Sequence, residues 1–185
     1  MIRTLVIFAR KPIRGQVKRR LAKDIGHTAA TRFYRNCLRR TVARLADRRW
    51  RMEVSLTPDG ARMPGCWDVR PQGSGDLGER MARALDLAGH TLVIGSDIPG
   101  LTRQHIGRAF NRLKAAPVVL GPATDGGYWA IGQRARGRLK LAPIRWSGPH
   151  ALADTIQALG KKHYALADMM QDVDDGAALA GLGFR

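Results

Sequence analysis

The segment Thr91-Leu92-Val93-Ile94-Gly95-Ser96-Asp97-Ile98-Pro99-Gly100 is the most strand-like part of the 185-residue sequence. Its apolar run predicts a central strand over residues 91–95, and the carboxylate of Asp97 follows where that strand ends. In a parallel sheet, ligands bind at the carboxyl ends of the strands. We therefore expect Asp97 to point into a binding site, the alternative being a turn aspartate before Pro99.

Strands and helices alternate on both sides of this segment. Short β-branched runs predict strands, and longer stretches with apolar residues every three or four positions predict helices. The predicted strands cover residues 4–9, 52–56, 66–69, 118–120 and 128–131, and the predicted helices cover residues 28–46, 77–87, 102–114, 151–159 and a short C-terminal stretch. Thr28 and Thr102 are expected to cap helices, and Gly89 to end one. This alternation predicts an α/β fold with a mostly parallel sheet covered by helices on both faces.

Length and composition set the broad class of the protein. A chain of 185 residues with 44% hydrophobic residues suits one globular domain, and no repeat or linker divides residues 1–185. The two cysteines, Cys37 and Cys66, are too few for a disulfide framework or a paired-cysteine zinc site, so buried thiols are expected. No apolar run is long enough for a signal sequence or a membrane span, which predicts a soluble, cytoplasmic protein.

The net charge of +17 raises the question of an anionic partner. Residues 1–51 hold 16 of the 32 Lys and Arg residues but only two acids, Asp24 and Asp47. One interpretation is a nucleic-acid-binding module. The other is a solvated helix surface, which we favour because the helical arginines have no aromatic residues interleaved for base stacking. These arginines are Arg32, Arg35, Arg39, Arg40, Arg44 and Arg48.

A cationic loop follows the first predicted strand, in the segment Ala9-Arg10-Lys11-Pro12-Ile13-Arg14-Gly15-Gln16-Val17-Lys18-Arg19-Arg20-Leu21. Lys offers a point charge and Arg a planar fork for phosphate oxygens, so a strand-end loop that holds both suits a polyphosphate. The alternative is a basic surface loop without a ligand. It is not a Walker loop, because the spacing from Gly to Lys-Ser/Thr is absent.

The segment Gly73-Ser74-Gly75-Asp76-Leu77-Gly78 matches the G-x-G-x-x-G pattern of dinucleotide-binding proteins. The strand before it is short and polar and meets Pro71, whereas the corresponding strand of a dinucleotide-binding fold is continuously apolar. A nicotinamide or flavin site is therefore disfavoured. We instead expect these glycines to let the backbone approach another ligand closely.

Two further acidic sites are candidates for a metal ion or for catalysis. Asp125 precedes the glycine pair in Thr124-Asp125-Gly126-Gly127-Tyr128-Trp129. In Asp172-Val173-Asp174 an extended backbone would place both carboxylates on one face, where they could share a cation. The alternative for this cluster is the start of a helix, which Asp175 would cap. Magnesium usually takes one or two carboxylates and completes its shell with water and phosphate oxygens.

Six segments in register resemble the DUF2064 group of bacterial proteins, which is related to the GT-A nucleotide-diphospho-sugar transferases. The same layout is similar to the guanylyltransferases that act on phospholactate and on molybdopterin. The segments are Phe8-Ala9-Arg10-x-Pro12, Gly15-x-Val17-Lys18-x-Arg20-Leu21, Gly75-Asp76-Leu77-Gly78-Glu79-Arg80-Met81, Gly95-Ser96-Asp97-Ile98-Pro99-Gly100-Leu101, Gly121-Pro122-Ala123-x-Asp125-Gly126-Gly127-Tyr128 and Asp172-Val173-Asp174. The sequence departs from the family pattern at Arg19, where Thr is usual, and at Asp175-Gly176, where Thr-Pro is usual.

The resemblance implies a GT-A-like three-layer α/β/α sandwich and a role for each matching residue. Nucleotide contacts are implied for Ala9, Arg10, Gly15, Lys18, Arg20, Gln72, Gly75, Leu77 and Gly78, with Lys18 and Arg20 on the phosphates. A magnesium or manganese ion is implied at Asp97, Asp174 and Asp172. Asp125 is implied to face the acceptor, so the implied catalytic residues are Lys18, Arg20 and Asp125.

The favoured function is nucleotidyl transfer from a nucleoside triphosphate to a small phosphorylated or hydroxyl acceptor. Glycosyl transfer from a nucleotide sugar is the close alternative, because both reactions need the metal ion and the cationic loop.

Three consequences for variants are expected. Lys18→Ala, like Arg20→Ala, should weaken nucleotide binding without unfolding the protein. Arg39→Ala and Arg44→Ala should leave nucleotide binding unchanged. Asp97→Asn should leave the apo protein equally or slightly more stable, by relief of repulsion with the other carboxylates.

Overall fold

The computed structural model describes residues 2–63, 68–135, 137, 139–141, 143–146 and 148–171. Strands and helices alternate through these residues, as the apolar periodicity predicts. In chain order they are β1 Arg3–Arg10, α1 Leu21–Ile25, α2 His27–Leu45, β2 Arg51–Thr57, β3 Val69–Pro71, α3 Leu77–Leu85, β4 His90–Gly95, α4 Arg103–Ala115, β5 Val118–Pro122, β6 Tyr128–Gln133, α5 Ala151–Leu159 and β7 Tyr164–Leu166.

The strands form one sheet in the order β3-β2-β1-β4-β6-β5-β7. Only β6 runs antiparallel to its neighbours, and the remaining pairs are parallel. In the register of β1 and β4, Phe8 lies opposite Gly95, so the carboxyl ends of these central strands reach the same edge of the sheet. That edge is where a parallel sheet binds its ligands.

Two apolar cores separate the sheet from helices on its two faces. On one face Leu5, Ile7 and Leu92 pack with side chains of α2 and α4, including Leu38 and Phe110. On the other face the intervening residues of the same strands, including Val6 and Val93, pack with α3 and α5. The alternation within β1 follows from the two-residue period of a strand. The predicted three-layer α/β/α sandwich with a mostly parallel sheet is confirmed.

Several element boundaries differ from the sequence-based expectation. The long helix begins at His27 behind Gly26, so Thr28 is an exposed helical residue rather than the cap. Thr102 does cap α4, through a reciprocal contact with His105. Helix α3 ends at Leu85, earlier than predicted, and Gly89 serves the turn into β4 with a φ of 84°. The short elements α1 and β7 were not predicted, because three to five residues carry no readable period.

Some predicted features lie outside the described residues. These are Cys66, Asp172, Asp174, Asp175 and the C-terminal helix. Cys37 is buried and free, as expected. Within the described residues, no helix combines the length and apolar character needed to cross a bilayer.

Candidate active site

A cleft of about 560 Å³ opens at the edge of the sheet where β1 and β4 end. Many of the residues proposed from the sequence come together in its wall, although they are distant in the chain. They are Ala9, Arg10, Lys18, Arg20, Gln72, Leu77, Asp97 and Asp125. The backbone therefore assembles one site from the segments that follow β1, β3, β4 and β5.

A short charged contact in this wall joins Lys18 to Asp97. The Nζ atom of Lys18 lies 2.6 Å from Oδ2 of Asp97, and the two side chains are 5% and 28% exposed. The backbone of Lys18 has a φ of 47°, in the left-handed region that residues other than glycine rarely adopt. Strained backbone of this kind concentrates at functional sites. The expectation that Lys18→Ala does not unfold the protein assumes an exposed loop cation, and the burial of Lys18 corrects that assumption.

A buried tyrosine connects the cationic loop to the segment that carries Asp97. The Tyr34 hydroxyl accepts a hydrogen bond from the Arg10 backbone N–H at 2.9 Å, and its oxygen lies 3.1 Å from the hydroxyl oxygen of Ser96. Burial raises the pKa of the Tyr34 hydroxyl, against the opposing effect of its hydrogen bond with Ser96. Helix α2 therefore holds the ends of β1 and β4 in one arrangement.

Gln72 forms a second connection, between β1, β2 and α3. Its buried side-chain amide donates to the carbonyl oxygens of Ala9, at 2.9 Å, and Ser55, at 3.0 Å. Its oxygen accepts a hydrogen bond from Arg80 at 3.0 Å. Both amide hydrogens are thus used inside the protein. Gln72 lines the cleft, and the hydrogen bonds of its side chain hold the neighbouring segments of the cleft wall in position.

Arg44 supports the segment that follows Asp97. Its guanidinium donates hydrogen bonds to the carbonyl oxygens of Ile98, at 3.3 Å, and of Pro99. The side chain of Arg103 in turn donates to the Arg44 carbonyl at 2.8 Å. The expectation that Arg44 is merely solvated, like the other helical arginines, is wrong. Periodicity alone did not reveal this difference, because Arg44 lies at the edge of the buried face.

The three glycines proposed for nucleotide binding do not line the cleft. At Gly75, with a φ of 100°, a Cβ would meet the carboxylate of Glu79, which completes the capping box with Asp76 at the start of α3. At Gly78 a Cβ would clash with the Leu141 carbonyl oxygen and lie 3.0 Å from Cζ2 of Trp146. Gly15, with a φ of 78°, has open space around it. Intramolecular packing thus accounts for Gly75 and Gly78, and their contact with a nucleotide stays a prediction.

Asp125 lies at the tip of the turn between β5 and β6. Its Oδ1 accepts a hydrogen bond from the Gly127 N–H at 2.9 Å. The residue is exposed and lines the cleft. The turn therefore holds the Asp125 carboxylate in the wall of the cleft.

Asp97 is the one predicted metal ligand that the structure describes. Among the described residues there is no group of three or more His, Cys, Asp or Glu side chains arranged for a metal ion. A single carboxylate at the end of a strand nevertheless fits magnesium or manganese, since such an ion takes much of its shell from water and phosphate oxygens. The donor set of the described wall is thus suited to an ion that arrives with a polyphosphate.

Sequence reasoning missed several residues of this wall. Tyr34 and Ser96 were not proposed, although Ser96 directly precedes Asp97 at the strand end and could have been included by position. Arg80 and Trp146 also line the cleft. Nothing in the local pattern marks Trp146, because the packing of its segment against Gly78 is decided only by the tertiary fold.

Solved structures share this architecture. A protein from Desulfovibrio desulfuricans G20, provisionally described as a nucleotide-diphospho-sugar transferase, matches with a TM-score of 0.89 and 26% identity, over 98% of this chain and 87% of its own. The CMP:2-keto-3-deoxy-manno-octonic acid synthetase complexed with CTP matches with a TM-score of 0.59 and 13% identity, over 98% of this chain and 97% of its own. Rv0371c from Mycobacterium tuberculosis H37Rv, in complex with manganese, matches with a TM-score of 0.53 and 16% identity, over 98% of each chain. The fold is thus that of nucleotide-diphospho-sugar transferase-like proteins.

Sequence comparison agrees with this structural likeness. No curated protein sequence matches the chain. Residues 28–148, more than half of the chain, match the model of a family described as uncharacterised proteins conserved in bacteria. The chain therefore belongs to the DUF2064 family.

Proposed function

We propose that the protein is a metal-dependent transferase that binds a nucleoside triphosphate and transfers its nucleotidyl group to a small acceptor. The observation that carries the proposal is the contact of the nearly buried Lys18 ammonium with Asp97, at the carboxyl ends of β1 and β4. A cation and a carboxylate held side by side in a cleft suit a ligand that brings both phosphate oxygens and a divalent ion.

The cationic loop is the proposed phosphate site. Lys18 provides a compact charge and Arg20 a planar fork, and both line the cleft with Arg10 and Arg19. Charge-assisted hydrogen bonds from such groups stabilise the negative charge that develops on departing pyrophosphate. Ala9 and Gly15 belong to the same loop, and we keep them as proposed nucleotide contacts.

The segment from Gln72 to Gly78 is the proposed neighbour of the base or ribose. Leu77 lines the cleft directly. Gln72 is hydrogen-bonded to two carbonyl oxygens and to Arg80, so we assign it the positioning of this wall. Gly75 and Gly78 act by letting α3 start and pack close to the cleft.

Asp97 is the proposed ligand of magnesium or manganese, with Asp174 and Asp172 as further candidates. The manganese complex of the similarly folded Rv0371c supports a divalent ion in this class of fold. When bound, such an ion supplies Lewis-acid stabilisation to phosphate oxygens. Asp97 orients its carboxylate through the contact with Lys18, which keeps both groups at the strand ends.

In the proposed reaction an oxygen of the acceptor attacks the α-phosphorus in line with the departing pyrophosphate. Lys18 and Arg20 hold the phosphates in position, and Asp125 faces the acceptor. The alternative is glycosyl transfer from a nucleotide sugar, which the description of the protein from Desulfovibrio desulfuricans G20 favours. The two reactions differ in their product, since only nucleotidyl transfer releases pyrophosphate.

The proposal is tested by calorimetric titration of nucleoside triphosphates and nucleotide sugars, with and without magnesium. We expect metal-dependent binding to the wild type, and Lys18→Ala should weaken it roughly 10- to 100-fold through loss of a charged contact. Asp97→Asn should remove the dependence on magnesium. Arg39→Ala, an exposed cation of α2, is the control and should stay within about twofold. Full metal-dependent binding by Lys18→Ala and Asp97→Asn, or an equal loss in Arg39→Ala, would contradict the assigned site.

A further inference from the structure

The cleft is lined by different chemistry on its two sides. The loop after β1 contributes the cations Arg10, Lys18, Arg19 and Arg20. The turn between β5 and β6 lies at the same edge of the sheet, with β4 and β6 in between. The described lining residues from 123 to 151 include one carboxylate, Asp125, and no Lys or Arg. A second phosphate group would have no cationic partner among them, and Arg80 of α3, which also lines the cleft, donates hydrogen bonds to Gln72 and to the Asp76 carbonyl oxygen.

The turn that carries Asp125 is held rigidly from several directions. Within the turn, the Ala123 N–H donates to the Gly127 carbonyl at 3.0 Å. From outside, the Leu152 N–H of α5 donates to the Gly126 carbonyl at 3.1 Å. Gly126 has a φ of 84°, and a Cβ there would collide with the backbone of Pro149. The position of the Asp125 carboxylate is therefore set by the fold rather than by a free loop.

Aromatic surface accompanies this carboxylate. Tyr128 and Trp146 both line the cleft, with ring centroids 6.5 Å apart in an edge-to-face arrangement. Trp146 is half-buried, and its ring lies beside Gly78, where a Cβ would collide with the Leu141 carbonyl oxygen and lie 3.0 Å from Cζ2 of the indole. The absence of a side chain at Gly78 thus lets the segment that carries Leu141 and Trp146 lie close to the start of α3.

We propose that the region between Asp125 and Trp146 binds the acceptor, and that this acceptor is an uncharged hydroxyl compound with an apolar ring face, such as a sugar or cyclic polyol. The inference rests on the proposed function and selects one of its two acceptor classes. Aromatic rings pack on the apolar face of a sugar, and a carboxylate accepts hydrogen bonds from its hydroxyl groups. A phosphorylated acceptor would instead meet a carboxylate, and like charges repel.

The chemical step follows from this placement. The acceptor hydroxyl oxygen forms a bond to the α-phosphorus of the nucleoside triphosphate, and the bond from that phosphorus to the bridging oxygen of the β-phosphate breaks. Pyrophosphate leaves with the bonding electron pair. The hydroxyl proton passes to the Asp125 carboxylate and then to solvent. The products are the nucleotidylated acceptor, pyrophosphate and one proton released to solvent, so atoms and charge balance.

The experiment measures acceptor-stimulated pyrophosphate release, with the nucleoside triphosphate that binds best in calorimetry, magnesium, and matched pairs of acceptors. The pairs are glucose with glucose 6-phosphate and myo-inositol with its monophosphate. We expect the neutral member of a pair to stimulate release at least about tenfold more than its phosphate. Stimulation by the phosphates alone, or by no neutral compound, would overturn the inference while nucleotide binding still supports the transferase. Absence of nucleotide binding in the acceptor-free titration would remove the proposed function itself.

Variants separate an acceptor role of Trp146 from a contact with the base. Trp146→Ala should raise the acceptor KM roughly 10-fold or more and leave the nucleotide Kd within about twofold, and Trp146→Phe should restore most of the loss. Asp125→Asn should lower kcat by about 100-fold with little change in nucleotide Kd. A larger effect of Trp146→Ala on nucleotide Kd than on acceptor KM would mean that the indole stacks on the base, and the acceptor site would be wrong.

Discussion

Helix α2 has two faces that differ in what their side chains do. On the inner face, which we define by Tyr34, Cys37, Leu38 and Arg44, side chains pack in the core or hold backbone beside the cleft. The outer face, defined by Arg32, Arg35 and Arg39, is exposed. Arg44 and Arg39 are the same residue type, little more than one turn apart, and only Arg44 bonds the segment that follows Asp97.

The number of cations is therefore a poor guide to function in this protein. Lys18 in the cleft is nearly buried and paired, whereas the outer-face arginines contact water, which screens their charge. An excess of +17 can therefore coexist with a small, specific anion site.

The largest expected difference concerns two neighbouring residues on opposite faces. Leu38 is fully buried, so Leu38→Ala should lower the free energy of unfolding by about 2–5 kcal/mol through lost burial and a cavity. Arg39→Ala should change it by no more than about 0.5 kcal/mol. Urea denaturation of both variants measures the two values. Similar losses in the two variants would mean that the outer face is not solvated.

The Tyr34 hydroxyl, on the inner face of α2, gives a pH-dependent prediction. Tyr34→Phe should cost about 1–2 kcal/mol at pH 8, because the Arg10 N–H and Ser96 lose their partner. Burial raises the pKa of Tyr34, so the unfolded chain loses this proton first as the pH rises. The stability linked to Tyr34 is therefore fully present below its unfolded pKa of about 10 and is lost as the pH climbs through the raised folded value.

Denaturation at pH 8, 10 and 11 checks this sign. The gap between wild type and Tyr34→Phe should narrow as the pH rises above about 10, because only the wild type carries the titrating group. Tyr164→Phe on β7 is the control for general alkaline effects. A gap that widens with pH would show that the hydroxyl is not held in its protonated form.

Arg44 should affect the site through the segment it supports. Arg44→Ala should weaken magnesium-dependent nucleotide binding about three- to tenfold and lower stability by about 1 kcal/mol, since the Ile98 and Pro99 carbonyl oxygens lose the hydrogen bonds from the guanidinium. Arg39→Ala is the matched control on the outer face. If Arg44→Lys binds nucleotide as the wild type does, a single charge suffices and the two-carbonyl geometry is not needed.

The smallest effect is expected for the whole outer face. The triple variant Arg32→Ala, Arg35→Ala, Arg39→Ala should keep the nucleotide Kd within about twofold. It should also lose any weak, salt-sensitive retention of an oligonucleotide, which we attribute to diffuse charge. Tight oligonucleotide binding by the wild type that persists at moderate salt and fails in the triple variant would instead favour the nucleic-acid-binding alternative.

The contact between Lys18 and Asp97 changes the expected effect of Asp97→Asn on the stability of the apo protein. Repulsion between carboxylates suggests that Asp97→Asn would be neutral or slightly stabilising. The 2.6 Å contact with Lys18 means that the change removes a counter-charge from a nearly buried ammonium. We now expect Asp97→Asn to lower the free energy of unfolding by about 1–3 kcal/mol, measured by denaturation of the apo protein. Equal or greater stability would restore the repulsion argument.

The layered α/β fold and the segments that meet at the cleft can be predicted from the amino-acid sequence alone. Buried apolar residues recur at alternate positions of a strand and at every third or fourth position of a helix. This spacing is visible in the sequence, so β1, α2, β4 and α5 were predictable. Asp97 and the loop containing Lys18 were predictable as well, because each directly follows a predicted strand. Local rules sufficed because each of these features depends on neighbours in the chain.

The side chains that bind backbone across the fold become visible only when the elements are packed together. The contacts of Tyr34 with Arg10, of Gln72 with Ser55 and of Arg44 with Ile98 join residues 17 to 54 positions apart. Their partners come from different elements, so no local pattern records them. The same holds for Gly78, whose motif suggested a ligand, whereas a Cβ there would collide with the carbonyl oxygen of Leu141, which is distant in the chain. A period shows which face of an element is buried, whereas the identity of the atoms across that face depends on how the elements pack.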